Sequence, residues 1–333
     1  MNSYGTKFRL SIFGESHGEL IGVVMDGVPA GISLSADDFI PALQRRKSGG
    51  RGTTPRIEVD MPKIVSGVFE GCTTGAPLTV VFENTNTRSS DYSEFRDTPR
   101  PGHADFVAQA KYNFYNDIRG GGHFSGRITL VLVAAGVVAR KMLGNINIEA
   151  TISSIGGIAR PAGCKDQMPE VWSKAIEEAM ADGDSLGGVI ECRCSNVPIG
   201  LGEPFFDSLE SQISHLAFSI PGIRGIEFGD GFMAAGMKGS EHNDCYIDIE
   251  GHTATNGAGG INGGISNGND IVFRVAVKPT SSISKTQNTF AFISNKMVDF
   301  SVKGRHDACI ALRAGVVVEA AMAIALADLT LQK

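Results

Sequence analysis

Four of the chain's seven histidines, His17, His103, His123 and His306, stand in polar segments bounded by glycine. Imidazole titrates near neutral pH, so histidines placed this way suit proton transfer. A zinc site is the poorer reading, because the cysteines lie elsewhere and neither H-E-x-x-H nor a close ligand pair occurs. We therefore expect no metal. Cations gather around the same segments. Arg45, Arg46, Lys47, Arg51 and Arg56 fall within twelve positions, and Arg100, Arg119 and Arg127 flank His103 and His123. Arginine is the residue that grips carboxylate and phosphate with two parallel hydrogen bonds. Lys278-Pro279-Thr280-Ser281-Ser282 puts three hydroxyls beside a lysine, a second place for a phosphate. The combined chemistry is acid–base work on a small molecule carrying several negative charges. The plain alternative is a glycine-rich surface with scattered solvated histidines and basic loop residues.

The elements that must carry these groups follow from periodicity and breakers. Residues 8–13 read as a strand running into Gly14-Glu15-Ser16-His17-Gly18, and 20–25 as the next strand. Ser35 caps a helix with Asp38 closing the box, and that helix ends in Arg45-Arg46-Lys47. Residues 57–59, 64–69 and 78–82 read as short strands, and 84–95 as a loop. Residues 104–118 read as a helix with Phe106, Ala110 and Phe114 on one face. Gly120-Gly121-Gly122 leaves bare backbone against which a flat ligand can lie. Ser125 then caps the helix that follows, with Arg127 in its first turn, where a bound anion would offset the helix dipole. Residues 128–143 and 308–329 are apolar nearly all round, which places both helices deep inside. Asp307 stands where it can cap the second. Residues 146–158, 187–197, 226–228, 246–249 and 271–277 read as strands, 288–301 as strand with a turn, and 169–181 and 205–219 as helices. Trp172 reads as core and His215 as structural. Residues 256–269, with six glycines and four asparagines, offer no packed element and read as disordered or as a shaped loop over a ligand.

The chain has 333 residues, 42% hydrophobic and 20% charged, which is globular in composition. A net charge of −6 argues against a general nucleic-acid surface. The stretch 310–331 is interrupted by Arg313, Glu319 and Asp328, which favours a buried helix over a membrane span. Six cysteines without CxxC read as reduced thiols of a cytoplasmic protein; Cys192 and Cys194 share one face if they lie on a strand. Neither a P-loop nor a dinucleotide-binding glycine motif occurs, so an ATP or classical dinucleotide site has no direct support.

GESHG at 14–18, RRKSGGRG at 45–52, RPGHAD at 100–105, LGEP at 201–204, GDGF at 229–232, KPTSS at 278–282 and GRHD at 304–307 together resemble the chorismate synthase family, in its order and over nearly the whole chain. The resemblance implies a single catalytic domain over 1–333 with an α+β fold, a β-α-α-β layered sandwich with helices between antiparallel sheets. It implies elimination of phosphate from 5-enolpyruvylshikimate 3-phosphate to give chorismate, with reduced FMN as cofactor and a homotetramer as the assembly. Residue by residue, it implies that His17 protonates the departing phosphate, that His103 manages flavin protonation, and that Asp307 assists removal of hydrogen from C6. It further implies substrate contacts at Ser16, Arg46, Arg51 and Arg127. Flavin contacts are implied at Ser125, Gly263, Lys278, Pro279, Thr280, Ser281, Ser282 and Arg305. His123-Phe124 and Pro221-Gly222 depart from the residues many members carry there. No flavin-reductase domain is evident, which leaves NADPH-driven self-reduction and an external flavin reductant both open. An FMN oxidoreductase reusing the pocket and a phosphometabolite-binding protein without turnover are the competing readings.

Overall fold

The computed structural model describes residues 2–54, 59–85, 89–164, 167–304 and 306–333. Two five-stranded antiparallel sheets enclose a pair of helices. The first sheet contains β1 (Ser3–Tyr4), β2 (Arg9–Gly14), β3 (Leu20–Asp26), β4 (Lys63–Ser66) and, after a ribbon of β5 (Val68–Phe69) and β6 (Cys72–Thr73), β7 (Leu78–Glu83). Its order is β1-β2-β3-β7-β4. The second contains β8 (Asn147–Ile155), β9 (Ile158–Ala159), β10 (Gly188–Ser195), β11 (Ile223–Phe228) and, after a ribbon of β12 (Ile261–Asn262) and β13 (Ile265–Ser266), β14 (Ile271–Val277). Its order is β11-β14-β10-β8-β9. A third ribbon pairs β15 (Gln287–Ala291) with β16 (Lys296–Phe300). On β10, Ile190, Cys192 and Cys194 alternate inward and are buried, so the two cysteines do share a face. All six cysteines are free thiols.

The helices are α1 (Ile40–Arg46), α2 (Asp105–Lys111), α3 (Thr129–Leu143), α4 (Glu170–Ala181), α5 (Leu209–Ser219), the single turn α6 (Gly239–His242) and α7 (Ala311–Gln332). Helix α3 packs against β3 and β7 of one sheet, α7 against β8 and β10 of the other, and the two helices against each other. This is the expected β-α-α-β sandwich. The α3–α7 contact is close because Gly136 faces Ala320; a Cβ built on Gly136 would stand 2.6 Å from the Ala320 Cα. Helix α7 has the length and hydropathy of a membrane span, yet most of it is buried in this core. Its two buried acids are fully matched. Glu319 takes Arg45, Arg140 and the Ala150 N–H, and Asp328 takes the N–H groups of Thr6, Lys7 and Phe8. Trp172 is core, as read.

Several expectations need correction. Helix α2 stops at Lys111, not residue 118. Asn113 and Phe114 adopt left-handed φ values of 49° and 64°, and Phe106 and Phe114 stay exposed instead of forming a buried face. Helix α5 begins at Leu209, not residue 205, because Ser208 caps it by accepting the Ser211 N–H. Residues 246–249 make one bridge, Tyr246 to Thr253, and no strand. Residues 256–269 fold around β12–β13, held by the Asp244 carboxylate on the N–H groups of Gly257 and Ala258. Residues 89–96, read as loop, form a 3-10 helix. Arg56 and the first part of the strand read at 57–59 lie outside the described residues.

Candidate functional site

A cavity of about 1030 Å³ opens at the end of the α3–α7 pair, and residues from far-apart motifs line it. His17, His103 and Asp307 all face it, with Ser16, Arg46, Ser125, Arg127, Lys278, Thr280, Ser281 and Ser282. His123 and His306 line it as well. Arg51 and Gly263 do not. Arg51 pairs with Glu177 of α4 at 2.6 Å, and Gly263 sits in the β12–β13 turn. Pro279 is also off the wall, and Arg305 lies outside the described residues.

The cationic wall is built from buried groups. Arg46, at the C-terminal end of α1, donates Nε–H to Thr129 Oγ1 at 3.0 Å and Nη2–H to the Gly126 carbonyl at 2.8 Å. Arg127 pairs with Asp60 and donates to Asn84 Oδ1 at 3.0 Å. Asp60 also stands 3.9 Å from Arg46, so one carboxylate faces two arginines. Burial first, and then neighbouring Arg313 and Arg127, push the Arg46 guanidinium down to about 9. Burial and Arg224 likewise lower the Lys278 ammonium, and burial and Arg100 lower His306. Each shift reports surroundings that disfavour more positive charge. An anionic guest would relieve all three.

His103 belongs to a tight cluster in the RPGHAD segment. Its Nδ1 lies 2.7 Å from Asp105 Oδ1, while Arg100 grips both oxygens of Asp105 at 2.7 and 2.8 Å. Arg100 also donates to Ser282 Oγ and lies over the Phe95 ring. KPTSS therefore does something other than present three free hydroxyls. Lys278 Nζ donates to the Gly102 carbonyl at 2.6 Å, and so does Ser281 Oγ at 2.8 Å. With Ser282 on Arg100, this latches the 278–282 segment onto the RPGHAD loop. Thr280 Oγ1 is left buried without a partner.

Asp307 does not cap α7. It accepts the Thr54 N–H at 2.9 Å and a two-point pair from Arg313 at 3.1 and 2.6 Å. Ser125 does cap as expected, accepting the Arg127 N–H at 3.2 Å. Its next element is the short 3-10 turn Gly126–Ile128 leading into α3. Gly120, Gly121 and Gly122 all have positive φ, and a Cβ on Gly120 would stand 2.3 Å from His17 Nδ1. His123 is spent on structure, with Nδ1 2.8 Å from the Gly14 carbonyl and Nε2 3.1 Å from Asn2 Oδ1. Among the described residues, the trio at metal-binding distance is Asp248, Glu250 and His252, which is exposed and off the cavity.

Sequence reading missed Asp60, Asp105, Arg224 and Arg313. Asp105 lay inside a motif already singled out; Asp60 carried no local signal at all.

The chain matches the family model for chorismate synthase over residues 8–331. It is 59% identical over 332 residues to the chorismate synthase of Chitinophaga pinensis, covering 99% of this chain and 97% of that one. The chain belongs to the chorismate synthase family. It is 43% identical to the chorismate synthase of Pyrococcus abyssi, over 97% of this chain and 96% of the relative. A solved crystal structure of a chorismate synthase superposes with a TM-score of 0.75 at 29% identity, covering 99% of this chain and 93% of that one. His123, Phe124, Pro221 and Gly222 all lie on the cavity wall.

Proposed function

We propose that this member of the family is a phosphate lyase that converts 5-enolpyruvylshikimate 3-phosphate to chorismate and phosphate with reduced FMN. The observation that carries the reading is the convergence of His17, His103 and Asp307, 290 positions apart at the extremes, on one cationic cavity. The reaction breaks the C3–O bond to phosphate and removes hydrogen from C6, an anti-1,4-elimination with no net redox change. Arg46 and Arg127 stabilise charge gathering on the leaving phosphate. His17 gives that phosphate a proton. Asp307, held by Thr54 and Arg313, is the carboxylate at the hydrogen-removing end.

The residues present fit FMN. The bare backbone of Gly120–Gly122 beside His103 can take a flat ring, and the unmatched Thr280 hydroxyl can meet a polar edge. At about 1030 Å³ the cavity stands at the upper end of ordinary small-molecule sites, roughly 300–1,000 Å³, which suits two guests. Reduced FMN, when bound, supplies electron density to the allylic system as phosphate departs. Ser16, Ser125, Lys278 and Ser281 complete the walls around both guests. Arg51, Gly263 and Pro279 do not line the cavity of one protomer.

We also propose one catalytic domain over 1–333 and a homotetramer in the cytoplasm. Large exposed apolar side chains, among them Tyr115, Phe205, Phe206 and Ile249, support assembly. An anaerobic assay with chemically reduced FMN tests the function. Equimolar chorismate and phosphate without net flavin oxidation is the expected result. Net flavin oxidation would instead mark an oxidoreductase, and tight substrate binding without product a binding protein. Replacing the chemical reductant by NADPH shows whether an external flavin reductant is needed.

A further inference from the structure

We infer that Tyr92 is a positioning residue for His17: its ring and the bare backbone of Gly120 hold the imidazole in one orientation on the cavity wall. The catalytic consequence rests on the proposed reading of His17 as proton donor to the departing phosphate; the ring packing does not depend on any ligand.

Hydrogen bonds fix the backbone around His17. The Ser16 N–H donates to the Gly122 carbonyl at 3.1 Å, and the Gly18 N–H to the Glu15 carbonyl at 3.1 Å. Asn84 Nδ2 closes the loop by donating to the carbonyls of Glu15 and Gly18 at 3.0 and 2.9 Å. These bonds set where the side chain leaves the backbone; packing sets how the ring is turned. The glycine stretch presses on the buried ring, since a Cβ built on Gly120 would stand 2.3 Å from Nδ1 and 2.4 Å from Cε1. The Tyr92 ring meets it too, with 5.1 Å between centroids and 74° between planes. That is the edge-to-face arrangement aromatic rings favour. Both rings line the cavity.

Tyr92 is itself braced. It lies in the 3-10 helix Ser89–Arg96, where side chains three positions apart stand in line. Phe95 is the residue so aligned, its ring 5.8 Å from that of Tyr92 and turned by 70°. Phe95 packs in turn on Phe300 at 6.1 Å, and with Val302 these two form a small apolar cluster apart from the main core. Gln109 Nε2 donates to the Phe95 carbonyl at 2.9 Å, and the Arg100 guanidinium covers the Phe95 ring at 4.5 Å. Tyr92 thus carries the rigidity of this cluster to the cavity wall. A proton donor works only when aimed at the departing oxygen, and a misplacement of about 1 Å can cost about 10²-fold in rate. The rival role for Tyr92 is a direct contact of its hydroxyl with a ligand.

The test joins kinetics under chemically reduced FMN to magic-angle-spinning NMR of the 13C-histidine-labelled full chain without ligand. Tyr92→Phe keeps the ring and should hold kcat and KM within about threefold of wild type, whereas Tyr92→Leu should lower kcat about 10–10²-fold at a KM and FMN dissociation constant within about threefold. In a His17→Ala background Tyr92→Leu should cost nothing further, because a residue that acts through another has no effect once that one is gone. An equal loss in that background overturns the proposal. So does a Tyr92→Phe enzyme as impaired as Tyr92→Leu, which would place the hydroxyl on a ligand. In the spectra, His17, assigned by its absence in His17→Ala, should give one set of ring signals in the wild type and in Tyr92→Phe. In Tyr92→Leu those signals should broaden or split. A wild-type His17 ring that already exchanges between orientations overturns the proposal, and this outcome needs no variant to fold. A wild type that binds both ligands and releases no chorismate overturns the functional reading while leaving the ring measurement standing.

Discussion

Asp60 is the most exposed point of the design in an energetic sense, although it is 5% exposed to solvent. Its carboxylate pairs with Arg127 on one oxygen and faces Arg46 from the other at 3.9 Å. Arg46 is 5% exposed and Arg127 is 9% exposed, so water screens neither. Asp60→Asn keeps the shape and one acceptor but takes the ion-pair partner from Arg127 and leaves Arg46 with only Asp307 to offset its charge. Breaking a buried pair by removing one partner costs about 3–5 kcal/mol. The carbonyl groups of Gly126 and Glu83, with Thr129 and Asn84, still take the guanidinium protons. That places the expected loss near the lower bound, about 3 kcal/mol. Urea unfolding followed by circular dichroism measures it. The second half of the prediction concerns anions. With Asp60 neutral, inorganic phosphate should stabilise the variant more than the wild type, since it replaces the missing charge. A variant within about 0.5 kcal/mol of wild type, or one with the same phosphate response, would refute the claim that Asp60 holds the two arginines in place.

His103→Ala removes the ring outright and should lower chorismate formation about 10²–10⁴-fold; near-wild-type turnover under reduced FMN would end its assignment to proton transfer. Gly136→Ala sets two effects against each other. Alanine gains about 1 kcal/mol of helix propensity, but its Cβ would lie 2.4 Å from the Ala320 Cβ. Overpacking costs about 1–3 kcal/mol and more where backbone must move, so the melting temperature should drop. A rise would show that α3 and α7 separate at little cost.

Much of the site was legible because its chemistry is local. GESHG, RPGHAD and GRHD each combine glycine, histidine and a charged residue within six positions, and the cavity gathers residues of all three. The two core helices were legible from apolar runs, and Ser35 and Ser125 from capping chemistry. Where spacing misled, tertiary structure decided. Phe106 and Phe114 repeat at helical spacing, but the chain turns left-handed at Phe114, and Phe106 stacks on Phe292 from a distant ribbon. Asp307 reads as a cap, yet Arg313, six positions on, takes both its oxygens. Asp60 reads as nothing, since Arg127, its partner, is 67 positions away.

The charge balance explains why these groups had to be gathered by the fold instead of by one segment. The chain is acidic overall, at −6, so its average field would repel a polyanion. Attraction has to come from a local wall, and every cation brought to that wall raises the cost of the next. Arg46 shows the consequence: burial and Arg313 lower its affinity for its own proton. Asp60, Asp105 and Asp307 each take up an arginine, at Arg127, Arg100 and Arg313. Three carboxylates on separate segments thus hold the wall assembled without a guest and leave Arg46 undercompensated. A phosphate-bearing ligand would complete that imbalance, so binding energy goes to the part of the cavity where charge leaves in the proposed elimination.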